Sequence, residues 1–116
     1  MNYYLSIDAG TSIIKTVLLN KHFELVCISS VKNKVITDEN GKSEIDMNKF
    51  WSLTSKCIKS CILKSKVNPL KIEAIGITGN MVGAWPIDIL NKPLRNAILW
   101  NDTRSEKIFN LLKKKK

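Results

Sequence analysis

Asp8, Gly10, Thr11 and Ser12, with Lys15 three positions further on, gather a carboxylate, a glycine, two hydroxyls and an ammonium into one short stretch. Such a set suits phosphate and magnesium. One carboxylate can hold a hydrated Mg²⁺, hydroxyls and backbone N–H groups can donate to phosphate oxygens, and a compact ammonium offsets their charge. The apolar run Tyr4-Leu5-Ser6-Ile7 leads into Asp8 and puts the set where a strand meets a turn. Gly10 can take a positive φ and lets backbone N–H groups approach a phosphate with no Cβ in the way. A Gly-Thr turn between two hydrophobic strands is equally an ordinary hairpin connection, so this stretch alone leaves both readings open.

A second group of polar and aromatic residues lies downstream. Asn80, Met81 and Val82 sit between Gly79 and Gly83, and Trp100, Asp102 and Arg104 alternate in Trp100-Asn101-Asp102-Thr103-Arg104. Each has a bland reading beside the functional one. Met81, Val82 and Trp85 can fill core behind a loop, Trp100 can be an interface aromatic, and Asp102 with Arg104 can be a local ion pair capping the last helix.

Three strand-like runs, Tyr3 to Asp8, Ile13 to Leu19 and Glu24 to Val31, carry the first group. Their short polar connections predict an antiparallel meander. Lys32 to Asp46 is polar and without lasting periodicity, so it reads as a loop with its tightest turn at Asn40-Gly41. From Asp46, the expected N-cap, to about Lys66, apolar Phe50, Trp51, Thr54, Cys57, Ile58, Cys61 and Ile62 recur at helical spacing and predict an amphipathic helix with one buried face. Pro69 ends it, and Ile72 to Thr78 reads as a short buried strand rich in Ile. A strand reached through a helix is expected to be parallel to an earlier one. Ser105 to Leu112 closes the pattern as a helix with Ile108, Leu111 and Leu112 on one side.

The 116 residues suffice for one core, and an apolar fraction of 44% with 25% charged residues is that of a globular chain. No apolar run reaches the roughly 18 residues a membrane span needs, and no secretory leader is visible, so a cytoplasmic location without membrane contact is the expectation. Cys27, Cys57 and Cys61 are odd in number and lack zinc-type spacing, which points to buried thiols rather than ligands or disulfides. His22 reads as a surface turn residue. Four of the nine excess positive charges are Lys113 to Lys116, and arginine occurs only at Arg95 and Arg104. With no aromatic-interleaved basic stripe, nucleic acid is not an expected partner.

Taken in order, Asp8-Ala9-Gly10-Thr11-Ser12 with Lys15, then Gly76 to Gly83, then Trp100 to Arg104, the chain resembles the N-terminal part of the FGGY family of carbohydrate kinases, the group that includes xylulose kinase and glycerol kinase. Glu44-Ile45-Asp46 before Phe50-Trp51 also resembles the acidic residue and aromatic pair that open that family's first long helix. The resemblance implies an α/β, ribonuclease-H-like domain of the actin-like ATPase superfamily, with three antiparallel strands, a helix and a parallel strand. That domain is expected to occupy residues 1–112 incompletely, followed by a basic tail at 113–116. It implies ATP and Mg²⁺ as cofactors, with Asp8 the metal carboxylate and Gly10, Thr11, Ser12 and Lys15 beside the phosphates. Asn80, Met81, Val82, Trp100, Asp102 and Arg104 fall where the sugar or polyol binds. Two positions depart from the pattern. Asn80 replaces a glutamine and Val82 a histidine, and a valine cannot hydrogen-bond a hydroxyl, so the sugar is not transferable.

The resemblance also implies what is missing: the catalytic base lies beyond position 116, and most of the adenosine pocket belongs to a second domain. The expectation is therefore an N-terminal kinase segment, inactive alone, whose remaining segments are its partners if separately encoded. The alternatives are a non-catalytic sugar- or phosphate-binding fragment and a nonfunctional remnant. Other actin-like nucleotide-binding proteins share the first hairpin, and the two later segments favour sugar kinase over them. An apolar edge on the strand Ile72 to Thr78 predicts self-association.

Overall fold

The computed structural model of the chain describes residues 2–114, so Lys115 and Lys116 of the expected tail lie outside the described residues. The chain divides into two compact units. One runs to Lys34 and resumes from Asn48 to Asn80, and the other takes Val35–Met47 and the described residues from Met81 on.

The first unit holds β1 (Tyr3–Ala9), β2 (Ile13–Asn20), β3 (Leu25–Lys32), helix α1 (Met47–Ser65) and the strand β6 (Ile72–Gly79), and two short strands between β3 and α1 belong to the other unit. Their sheet has the order β3-β2-β1-β6. The neighbours β1–β2 and β2–β3 are antiparallel and β6 is parallel to β1, as the short turns and the helical crossover require. Alternation then sorts the side chains: Leu5 and Ile7 on β1 and Ile14, Thr16 and Leu18 on β2 are buried, while Ser6, Asp8 and Lys15 point the other way. Each large apolar side chain so buried contributes about 1.5–3 kcal/mol.

Helix α1 covers that face through Thr54, Cys57 and Cys61, spaced three and four apart. The Cys57 thiol lies 3.7 Å from the Ile14 carbonyl oxygen and 3.4 Å from that of Ser29, and the Ser29 and Ser60 hydroxyls are hydrogen-bonded at 3.1 Å. Cys57 and Cys61 are buried, as expected, and Cys27 is half-buried. Trp51, expected on the buried face, is exposed instead, because it stands on the flank of the stripe running through Thr54, Cys57 and Cys61. His22 is exposed in the turn between β2 and β3, its N–H donating to the Asn20 side chain.

Two expectations are overturned by the sheet. β6 was expected to be buried, yet Ile75 is 58% and Ile77 74% exposed. Both share a face with Leu5 and Ile7 through the β1–β6 register, but β6 is an edge strand, and of its residues it is Ile72, at its start, that packs against the core cluster. The stretch expected to be a loop, Lys32 to Asp46, contains β4 (Ile36–Thr37) and β5 (Ser43–Ile45). Strands of two and three residues are too short to show alternation, and β5 finds a partner far along the chain.

That partner belongs to the second unit, where β4, β5, β7 (Gly83–Ala84) and β8 (Ala97–Leu99) form an antiparallel sheet of order β4-β5-β8-β7. The β4–β5 turn is organised by Asp38, whose Oδ1 accepts from the N–H of Asn40 and of Lys42, and Gly41 takes φ +84° as an Asn-Gly turn demands. Ala97 and Leu99 on β8 and Ile45 on β5 are buried. The closing helix, α2 (Glu106–Lys113), has no buried residue, and Ile108, Leu111 and Leu112 are all exposed.

Candidate functional site

Asp8 stands one residue before the end of β1, on the face opposite Leu5 and Ile7, and is exposed. Its cross-strand neighbours are Lys15 on β2 and Thr78 on β6, and Lys15 in turn neighbours Ser30 on β3. Register thus draws a row of one carboxylate, one ammonium and two hydroxyl-bearing residues across four strands. Among the described residues no ion pair joins Asp8 to Lys15, so each charge remains available to a ligand. A lone exposed carboxylate fits a hydrated Mg²⁺ held through one protein oxygen and mainly by water and phosphate. No group of three metal-ligating side chains exists among the described residues, so a closed protein cage is not what these residues build.

The turn between β1 and β2 is fixed from two sides. Asn33 donates its backbone N–H to the Ser12 carbonyl and its side-chain amide to the Thr11 carbonyl, both at 2.8 Å. The Thr11 hydroxyl donates to the Asn80 side-chain oxygen, and the Asn80 amide donates to the Ala9 carbonyl at 3.3 Å. Asn80, read from sequence as a sugar contact, has its side chain engaged with the hairpin. Asn33 was not foreseen, since one asparagine after a strand carries no distinguishing pattern. Gly10 does not use its freedom to adopt positive φ. It is not among the positive-φ residues. What requires glycine there is space: a Cβ would stand 2.5 Å from the Ile13 carbonyl oxygen and 3.6 Å from Asp8 Oδ1.

In the second unit Asp102 and Arg104 meet, though not as a helix cap. Asp102 accepts from the Arg104 guanidinium at 2.7 and 3.0 Å and from the Ser43 N–H at 2.9 Å. The side chain of Ser105, the N-cap of α2, makes no capping hydrogen bond. Arg104 Nη2 also reaches Glu44 Oε1 at 2.7 Å, where Arg95 Nη2 joins at 2.6 Å, and Asn96 donates to Glu44 Oε2 at 3.3 Å. The Glu44 side chain is only 4% exposed, and Lys42 stands 3.8 Å away.

The electrostatics follow from these contacts. The Arg104 hydrogen bond holds the Glu44 carboxyl below the usual carboxylate range against the opposing effect of burial, with Asn96 and Lys42 adding to it. The same guanidinium, with the Ser43 N–H, holds Asp102 far below its ordinary value, and Arg104 itself is raised by Asp102 and Glu44. Sequence reading placed Glu44 only as a feature before the helix. Its partnership with Arg95 and Arg104 joins residues 51 and 60 positions apart, which no local spacing reveals.

Arg95, Asp102 and Arg104, with Ile98, Ser105 and Ile108, line a concavity of about 360 Å³. A larger one of about 590 Å³ lies by the Asn40-Gly41 turn and shares Arg104 with it. Met81, Val82 and Trp100 are 80%, 81% and 65% exposed, so none of them fills core. Val82 has φ +59°, a conformation unusual for a β-branched residue.

A profile of the FGGY family of carbohydrate kinases, N-terminal domain, matches residues 3–116. The chain belongs to this family. Over 114 residues it is 36% identical to the probable L-xylulose kinase of Haemophilus influenzae, a match covering 98% of this chain and 24% of that protein. With the xylulose kinase of Escherichia coli it shares 37% identity over 109 residues, covering 94% of this chain and 22% of that one. The chain therefore spans about a quarter of the length of the curated relatives it matches. Among solved structures, a xylulose kinase from Brucella ovis superposes with a TM-score of 0.84 at 31% identity, over 96% of this chain and 23% of that one. A Plasmodium falciparum glycerol kinase with ADP gives 0.83 at 26% identity, over 100% of this chain and 24% of that one. An FGGY chain in this class has the actin-like α/β fold, and the mixed sheet with β6 parallel to β1 is its observed form here.

Proposed function

We propose that this FGGY chain supplies the N-terminal part of an ATP-dependent kinase that phosphorylates a hydroxyl of a sugar or polyol. In this reading Asp8 holds Mg²⁺ through one oxygen, the Gly10-Thr11-Ser12 turn lies against the transferred phosphate, and Lys15 offsets its charge. Within the second unit, Met81, Val82, Trp100, Asp102 and Arg104 are assigned to the acceptor, while Asn80 acts by fixing the hairpin turn. The observation that carries the proposal is the row Asp8, Lys15 and Thr78, set in register beside a turn whose glycine admits no Cβ.

Magnesium, when bound, supplies charge neutralisation for the transferred phosphoryl group. What the chain's own residues contribute is placement: Asp8 and Lys15 sit on rigid paired strands, and the turn between them is held at both ends by Asn33 and Asn80. Val82 adds an apolar contact and no hydrogen bond, so an acceptor must be oriented by the Asp102 and Arg104 side and by Trp100, whose exposed ring offers an apolar face to sugar carbons. The 116 residues alone are proposed not to turn over, because phosphoryl transfer needs a base for the acceptor hydroxyl and an aligned nucleotide as well.

The test is a titration of the isotopically labelled chain with Mg²⁺–ATP and with a panel of ketoses and polyols, followed by amide shifts. Saturable nucleotide shifts around Gly10 to Lys15 that weaken at least about tenfold in Asp8→Asn are expected, a loss typical of removing a charged phosphate- or metal-binding partner. Shifts absent from the hairpin, or unaltered by Asp8→Asn, overturn the nucleotide role. Steady ATP-dependent phosphorylation of any of those acceptors by the chain itself overturns its inactivity in isolation.

A further inference from the structure

Cys27, Cys57 and Cys61 are free thiols, the first on β3 and the others on α1. Their surroundings differ. Cys57 is buried between the Ile14 and Ser29 carbonyls. Cys61 is fully buried in the core cluster, and Cys27 packs against it from the strand, half-exposed. The Cys61 thiol donates to the Cys27 carbonyl oxygen at 3.7 Å. Burial pushes the Cys61 thiol up to about 11, and hydrogen bonding with the Cys27 thiol and the proximity of Cys57 push it the same way. Two cysteines from different elements thus meet in one cluster, one reachable from solvent and one sealed behind it. No metal-binding group of three such residues is present among the described residues, which removes a thiolate metal site as the use of this cluster.

We propose that Cys27 and Cys61 are a redox-modification site: a peroxide converts them to a disulfide tying β3 to α1, while Cys57 stays reduced. Cys27 meets the oxidant first, because it alone of the three is not fully buried. Its thiolate sulfur attacks one peroxide oxygen, the O–O bond breaks, and the departing hydroxide takes a proton to leave as water, giving the Cys27 sulfenic acid. The Cys61 sulfur then attacks the Cys27 sulfur. The S–O bond breaks, hydroxide leaves with the Cys61 proton as a second water, and the S–S bond is formed. Two thiols have lost two electrons and one peroxide has gained them. Cys61 is a poor nucleophile in bulk terms because so little of it is ionised, and its fixed position beside Cys27 compensates by making the second step intramolecular.

The bond joins two elements that already touch. Its effect is to staple helix α1 to the strand farthest from β6.

The experiment is hydrogen peroxide treatment of the purified 116-residue chain, with thiols counted by maleimide mass labelling and links mapped by protease digestion under non-reducing conditions. The expected result is a fall from three labelled thiols to one, with that one at Cys57, and a Cys27–Cys61 linked peptide that dithiothreitol removes. The oxidised chain is also expected to melt at a higher temperature than the reduced one. Cys57→Ser should leave the link intact. Cys27→Ser should abolish it, and mapping of the parent chain makes the result independent of whether any variant folds. A Cys27 that ends as sulfinic acid, links between two chains, a Cys27–Cys57 link, or three thiols surviving an excess of peroxide would each overturn the proposal.

Discussion

Replacing Thr16 by valine should make the chain more stable, against the usual direction of core substitutions. Thr16 is fully buried on β2 between Ile7 and Ser29, its cross-strand neighbours, and its hydroxyl has no hydrogen-bond partner among the described residues. A buried polar group left unsatisfied costs about 1–3 kcal/mol. Valine keeps the branched shape, replaces the hydroxyl with a methyl, and suits the centre of a sheet at least as well. The slightly larger methyl must fit against packed neighbours, which takes back part of the gain, so the net expectation is about 1–2 kcal/mol.

For a chain of this size each kcal/mol moves the melting temperature by about 4 °C, so Thr16→Val should melt about 4–8 °C higher by circular dichroism. Thr54→Val is the matched control. Thr54 is also buried, but its hydroxyl donates to the Phe50 carbonyl at 2.9 Å. There the same change removes a satisfied bond and should lower stability by about 0.5–1 kcal/mol. Opposite signs for two Thr→Val changes in one unit are what partnerless and partnered hydroxyls predict. A Thr16→Val chain that melts at or below the parent temperature would show that the hydroxyl is satisfied after all and refute the argument.

Three further outcomes are expected. Gly10→Ala should cost at least about 2 kcal/mol, read by urea unfolding, because its Cβ would meet the Ile13 carbonyl oxygen at 2.5 Å and backbone cannot yield as a side chain does. Glu44→Gln should lower the melting temperature at pH 7 and leave it nearly unchanged in strong acid. Folding depresses the Glu44 value, so its stabilisation is present above the unfolded value of about 4.3 and is lost as pH falls through the lower folded value. A gap between parent and variant that persists undiminished in acid contradicts this. Ile75→Lys with Ile77→Lys should change stability by no more than about 0.5 kcal/mol per site, since both side chains are largely exposed, yet raise the concentration at which the chain self-associates in sedimentation. An unaltered association constant would assign self-association to another surface.

The meander, the helix and the parallel strand were legible because each is written locally: alternation in β1 to β3, a three-and-four stripe at Thr54, Cys57 and Cys61, and a helix between strands that must cross over. The depth of β6 was not, because burial of Ile75 and Ile77 depends on how far α1 extends across the sheet, which no property of those residues encodes. Strands β4 and β5 escaped because their evidence is the pairing of Glu44 with Ile98, not a pattern of their own. At the hairpin, the residue types and the need for glycine were readable, whereas the reason for Gly10 was steric and concerned a carbonyl three residues on. The clamp on Glu44 was out of reach because its partners come from a separate stretch of sequence.

The bond between Thr11 and Asn80 spans 69 positions, and β6 lies beside β1 along its whole length. A chain emerging from the ribosome at roughly 5–20 residues per second therefore carries its second strand for several seconds before the residue that fastens the adjoining bend has been synthesised. Early in translation the hairpin is a provisional object, and its final shape is conferred late, by the arrival of an asparagine from the far end of the first unit.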